Sequence, residues 1–117
     1  MSQDKIKLTP LQRDILWTLE EPGSLELCSL ICTVCERRKL GPFAVALADL
    51  WREGFLYAEG LDAPPEDVRQ WNEPAGEQWL GDRIIKHNDG AMETRDGSIE
   101  IVISLAGSRV IWGERDQ

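Results

Sequence analysis

The stretch that most constrains the fold of this chain is Gly41–Phe55, GPFAVALADLWREGF. It reads as one helix with a defined start and a defined stop. Pro42 suits a first helical position, where its missing N–H would be unsatisfied anyway, and Gly41 can serve as the cap. At about 100° per residue, Phe43, Ala46, Leu47, Leu50 and Trp51 gather on one side. Ala44, Val45, Ala48, Asp49 and Arg52 fall on the other. Gly54 ends the helix, and Phe55-Leu56-Tyr57 opens a strand-like run. The inward side predicts a core helix. Near the N-terminus of the helix the outward side offers methyl groups and one carboxylate, not the donors that read base edges.

Two further helices are predicted before it. The first covers Leu8–Glu21, with Thr9 and Gln12 spaced as a capping pair and Pro10 in the first turn. Leu8, Leu11, Ile15 and Leu19 line its apolar face, with Leu16 on the flank. Trp17 falls roughly opposite. It is either covered by a later segment of the chain or offered as an interface anchor, a role in which Trp is enriched. Glu21-Pro22-Gly23-Ser24 ends that helix, and Ser24 is a candidate cap for the second, which spans about Leu25–Arg38. Its apolar side (Leu27, Cys28, Leu30, Ile31, Cys32, Val34, Cys35) covers more than half the circumference, so it should be largely buried. Arg37-Arg38-Lys39 follows, the only basic cluster in the chain.

Residues 60–81 change character, being acidic and rich in Pro and Gly. Pro64-Pro65 opens a short helical turn through Gln70. Trp71 and Trp79 predict that the segment packs back on the body, because linkers seldom contain aromatics. From residue 82 the period becomes two: strands at Arg83–His87, Ala91–Arg95 and Ser98–Ser104, with turns at Asn88-Asp89-Gly90 and Asp96-Gly97. Ile99, Ile101 and Ile103 face one way along the last strand. Leu105–Trp112 reads as a closing helix.

Charge bears on partners. The net charge is −8, with 7 basic and 9 acidic residues in 1–60 against 6 and 12 in 61–117. A phosphate-binding surface draws on Lys and Arg, so the acidic second half would have to face away from nucleic acid. No apolar run approaches the roughly 18–20 residues of a bilayer span. The opening MSQDKIKLTP has no signal-peptide apolar region, which predicts a cytoplasmic protein.

Catalytic and metal signatures are weak. Cys28, Cys32 and Cys35 fall within about 60° of one another on a helix, yet a closed zinc site needs a fourth ligand and His87 is the only histidine. Core packing is the expected role of these thiols, with metal or redox sensing the alternative. His87 lies beside Lys86 and Asn88 with no nucleophile motif and reads as a surface residue. Asp62, Glu66, Asp67, Glu73 and Glu77 lack the spacing of a calcium loop. Neither an enzyme nor a cofactor is expected.

The order helix, helix, central helix ending in Gly, strand, then IVISLAGSRVIW resembles winged-helix regulators of the MarR and PadR kind. In those a wing strand leads through a Leu-Thr-x-x-Gly-Arg turn into a final helix. Leu105, Ala106, Gly107, Ser108 and Arg109 match it with the Gly displaced by one and the Thr absent. LTPLQRDIL (Leu8–Leu16) and DLWREGFLY (Asp49–Tyr57) are also similar to that family. The resemblance implies one α+β winged-helix domain over residues 1–117. It comprises a three-helix cluster with a small antiparallel sheet: helical core 8–58, acidic insertion 60–81, wing strands 82–104 and closing helix 105–112. Two functions follow from different classes. In a DNA-binding transcriptional regulator, Arg37, Arg38 and Lys39 would touch phosphates, with Lys86 and Arg95 serving from the wing. In a protein-interaction module that does not bind DNA, the outward Ala44, Val45 and Ala48 would dock an apolar partner patch. Neither reading specifies an oligomeric state.

Overall fold

The computed structural model describes residues 7–34, 39–60, 72–89, 91–95 and 97–115. The fold is α+β. Its elements in order are α1 (Pro10–Glu20), β1 (Ser24–Glu26), α2 (Leu27–Val34), α3 (Leu40–Arg52), β2 (Leu56–Glu59), α4 (Glu73–Gly81), β3 (Ile84–Lys86), β4 (Met92–Thr94), β5 (Glu100–Ile103) and α5 (Leu105–Arg115).

Helix α1 begins as its sequence predicts. The Gln12 amide donates to the Thr9 hydroxyl at 3.2 Å, and the Thr9 amide donates back to Gln12 Oε1 at 3.0 Å, closing a capping box. Ile15, Leu16 and Leu19 are fully buried. The second helix departs from expectation. Ser24 does not cap it. Ser24–Glu26 instead pairs with β5, and helix α2 starts at Leu27. Pairing Leu25 with Ile101 puts its backbone in a ladder that a helix start would have left unpaired. The cap then comes from Glu26, whose Oε1 accepts from the amides of Cys28 at 3.0 Å and Ser29 at 3.4 Å. Ser29, Cys32 and Thr33 are exposed, so α2 is amphipathic and not buried on most sides.

Helix α3 starts one residue before the predicted cap, with Lys39 as N-cap and Pro42 in the first turn, because Leu40 is drawn into the core. It ends as the glycine predicts. Gly54 sits at φ +80°, the Gly54 amide donates to the Trp51 carbonyl and the Phe55 amide to the Leu50 carbonyl, each at 2.9 Å. This is a Schellman stop, and Leu50 and Phe55, its apolar pair, are both buried.

Strand β5 lies between β1 and β2 and is antiparallel to both. The register aligns Leu25, Ile101 and Ala58 in one row, and Glu26, Glu100 and Glu59 in another. Ile101 and Leu56 point into the core shared with α1, α2, α3 and Ile111 of α5. Ser104 joins the sheet to α5. Its amide donates to the Phe55 carbonyl at 3.0 Å, its hydroxyl donates to the Gly54 carbonyl, and the same oxygen accepts from the Gly107 amide at 3.0 Å.

Between β2 and β5 the chain inserts α4 and a separate two-stranded sheet of β3 and β4. The predicted strands at 83–87 and 91–95 are therefore present in shorter form and pair with each other, not with the last strand. The short helical turn expected at Pro64–Gln70, together with Trp71, Gly90 and Asp96, lies outside the described residues. Helix α4 itself was not predicted. Pro74 and Gly76 read as breakers, whereas Pro74 occupies its first turn and Asn72 caps it by accepting from the Ala75 amide at 3.1 Å.

Candidate functional site

Of the side of α3 that the sequence places outward, Ala44 and Ala48 are covered, while Val45, Asp49 and Arg52 are partly exposed. Ala44 and Ala48 are 0% and 1% exposed. The cover is α4, which packs along α3 at close range. The contact depends on small residues. A Cβ on Gly41 would lie 2.8 Å from the Glu73 carbonyl oxygen, and one on Gly76 would lie 2.8 Å from the Ala44 Cβ. The expectation that Ala44, Val45 and Ala48 form an open docking surface is thus corrected. Their smallness serves an internal helix–helix contact, and Val45 is half-buried beside it.

Of the predicted basic residues, Lys39, Lys86 and Arg95 fall among the described residues, and all three are exposed. Arg37 and Arg38 lie outside the described residues. Lys39 is exposed as the N-cap of α3. Lys86 and Arg95 belong to opposite ends of the β3–β4 ladder, about 10 Å apart at ~3.3 Å per residue. Arg95 is turned onto its own hairpin, its Nε donating to the Asp82 carbonyl at 3.2 Å while its amide donates to the Arg83 carbonyl. Beside Lys86, His87 lies 3.4 Å from Glu93 at the surface, as a surface histidine should. Arg83 stacks over Trp79, 4.7 Å from the ring centroid, and donates to the Trp79 carbonyl at 2.7 Å. An open groove near the end of α3 presents Lys7 and Arg52 together with Asp49 and Glu53, a mixture with no preference for phosphate.

Trp17 is covered by a later segment. Its ring meets Trp112 of α5 edge to face, with centroids 5.2 Å apart, and Glu20 accepts from both Trp112 Nε1 and the Ser108 hydroxyl. Trp112 remains 42% exposed.

The cysteines separate. Cys28 is buried, and burial pushes its thiol above its ordinary pKa, opposed by the Thr94 hydroxyl 3.7 Å away. Cys32 is exposed, contrary to its place on the predicted apolar face, because α2 turns that position away from the core. Cys35 lies outside the described residues, as do Asp62, Glu66 and Asp67. Among the described residues no group of His, Cys, Asp and Glu is placed to hold a metal ion. No described helix is long and apolar enough to cross a membrane.

One feature emerges that sequence periodicity did not single out. Glu26, Glu100 and Glu59 sit side by side across β1, β5 and β2 on the sheet face opposite Ile101 and Leu56. The next row on that face holds Ser24, Val102 and Tyr57, and Tyr57 is 46% exposed. The alternation along each strand was legible. The cross-strand register that gathers the carboxylates was not. Comparisons with protein-family models, with curated proteins and with solved structures find no match.

Proposed function

We propose that this chain is a winged-helix regulatory module that works through a protein partner and does not insert α3 into DNA. The winged-helix part of the reading is supported by connectivity. A helix, a short strand and two further helices precede β2, and β5 lies between β1 and β2 and runs straight into α5. This is in keeping with the order of central helix, strand, last strand and closing helix on which the resemblance to MarR and PadR regulators rests. The α4–hairpin insertion takes the place of a wing.

The observation behind the choice of partner is the cover on α3. A helix that reads the major groove must present side chains to base edges. On α3 the Ala44 and Ala48 side is buried under α4, which leaves Asp49 and Arg52, paired with each other, as partly exposed polar side chains near the C-terminal end of the helix. Its covered side would present only methyl groups even if α4 moved away. The net charge of −8 acts in the same direction, since affinity for duplex DNA comes largely from cations placed near phosphates.

Binding of the full chain to a pool of random duplex DNA, measured at low and at physiological salt, tests the reading. No saturable binding is expected at either. Saturable binding that weakens as salt rises would indicate counterion release at a phosphate-contacting surface. The DNA-binding regulator would then be the better reading, and Arg38→Glu with Lys39→Glu should abolish the binding.

A further inference from the structure

We propose that the outward face of the β1–β5–β2 sheet docks an extended, cationic segment of a partner protein. The proposal rests on the protein-partner reading above and names its surface.

Three observations on that face point the same way. The Glu26, Glu100 and Glu59 row places like charges on adjacent strands, and the ion pairs among the described residues do not include any of the three. Glu26 Oε2 accepts from the Thr94 hydroxyl at 2.7 Å and Glu26 Oε1 from amides, while Glu100 Oε2 accepts from the Ser24 hydroxyl at 2.8 Å. Glu26 is thereby met by the positive end of α2, which leaves Glu100 and Glu59 as the carboxylates of the row available to a cation. Glu59, at the β2 end of the row, is exposed.

The second observation is Tyr57, an exposed aromatic on the same face of the same strand as Glu59. Tyrosine is among the residues that anchor interfaces, and its ring accepts both aliphatic stems and guanidinium groups. Val102, half-buried, extends that apolar row inward.

The third is spacing. Rows of one face lie about 7 Å apart along a strand, the same interval at which an extended peptide presents side chains on one side. A segment lying along the strands therefore sets a basic residue over the carboxylate row and an apolar residue, two positions on, over Tyr57 and Val102. Long Lys or Arg stems cover apolar surface while their heads reach the carboxylates. The sign of the row turns away phosphate backbones.

The probe is a fluorescein-labelled peptide of repeated Arg-Ser-Val-Ser, titrated with the full chain and followed by anisotropy. Its Glu-Ser-Val-Ser counterpart serves as control. Binding of the basic peptide alone is expected. Tyr57→Ala with Glu59→Gln should weaken it by about tenfold or more, since both side chains lie at the contact. Glu73→Gln with Glu77→Gln removes more charge from the exposed side of α4 and should change it by less than about twofold. All four positions are exposed, so the variants are expected to fold, and unchanged circular dichroism spectra would check this. In parallel, amide shifts on peptide addition should concentrate in β1, β5 and β2.

Equal losses in the two variants, shifts spread over the whole surface, or no binding at all would overturn the proposal. So would a dimer of this chain that Tyr57→Ala dissociates in sedimentation. None of these results concerns DNA. Failure here with no DNA binding leaves the protein-partner reading in place, while salt-sensitive DNA binding removes that reading itself.

Discussion

At the scale of single residues, Gly107 has the least room for a side chain among the described glycines. A Cβ there would lie 2.0 Å from the Phe55 carbonyl oxygen and 2.9 Å from its carbon, both backbone atoms fixed by the Schellman stop and by Ser104. Neither can rotate aside. Gly107→Ala should therefore lower stability by about 3 kcal/mol, the upper range for overpacking, despite alanine's better helix propensity. Gly113 lies on the same helix with nothing within 4 Å of its Cβ position. Gly113→Ala should raise stability by about 0.5–1 kcal/mol through propensity alone. Urea midpoints of the two variants check both signs. If they move together, the close approach of α5 to Phe55 is not a constraint on the fold. The glycine of the LAGSR turn was visible in the sequence, but only by resemblance. The atom it must avoid belongs to a residue 52 positions away in the chain.

At the scale of elements, α4 is the part that most changes what the molecule can do. It hides one side of α3, and its contact is closed by Gly41, Ala44 and Gly76. Gly76→Leu should lift α4 from α3 at a cost of about 1–3 kcal/mol. Hydrogen exchange followed by mass spectrometry should then rise across residues 73–81 while amides of α1 and β5 keep their protection. Uniform acceleration would mean that α4 is integral to the main core. No acceleration would mean that the close contact does not hold it. Much of the rest was legible at this scale. The capping box of α1, the glycine stop of α3 and the isoleucine alternation of β5 each follow from local chemistry, and each is present. The start of α2 and the existence of α4 were not. Ser24–Glu26 becomes a strand only because β5 is there to pair with it. Likewise Pro74 and Gly76 break a helix in isolation, yet here they open one and let it pack closely.

At the scale of the whole molecule, charge is the governing term. A chain of net charge −8 repels itself when compact, and added salt screens that repulsion as the Debye length shrinks from about 10 Å at 0.1 M to about 3 Å at 1 M. The urea midpoint should rise between those two sodium chloride concentrations. A fall would mean that attractive ion pairs such as Asp49–Arg52, 3.5 Å apart and partly exposed, outweigh the net repulsion.

The sequence by itself determined the α+β class, the principal core helices with the capping box of α1 and the glycine stop of α3, the surplus of acid and the set of side chains available for chemistry. These are set by neighbours within a turn or two of helix or by simple counts. Only the tertiary structure decided which side of α3 meets solvent, where Trp17 finds its partner, and that three glutamates from distant segments align in one row. Those outcomes depend on register and packing between strands and helices far apart in the chain. Periodicity along one segment identifies a face but does not say what lies against it.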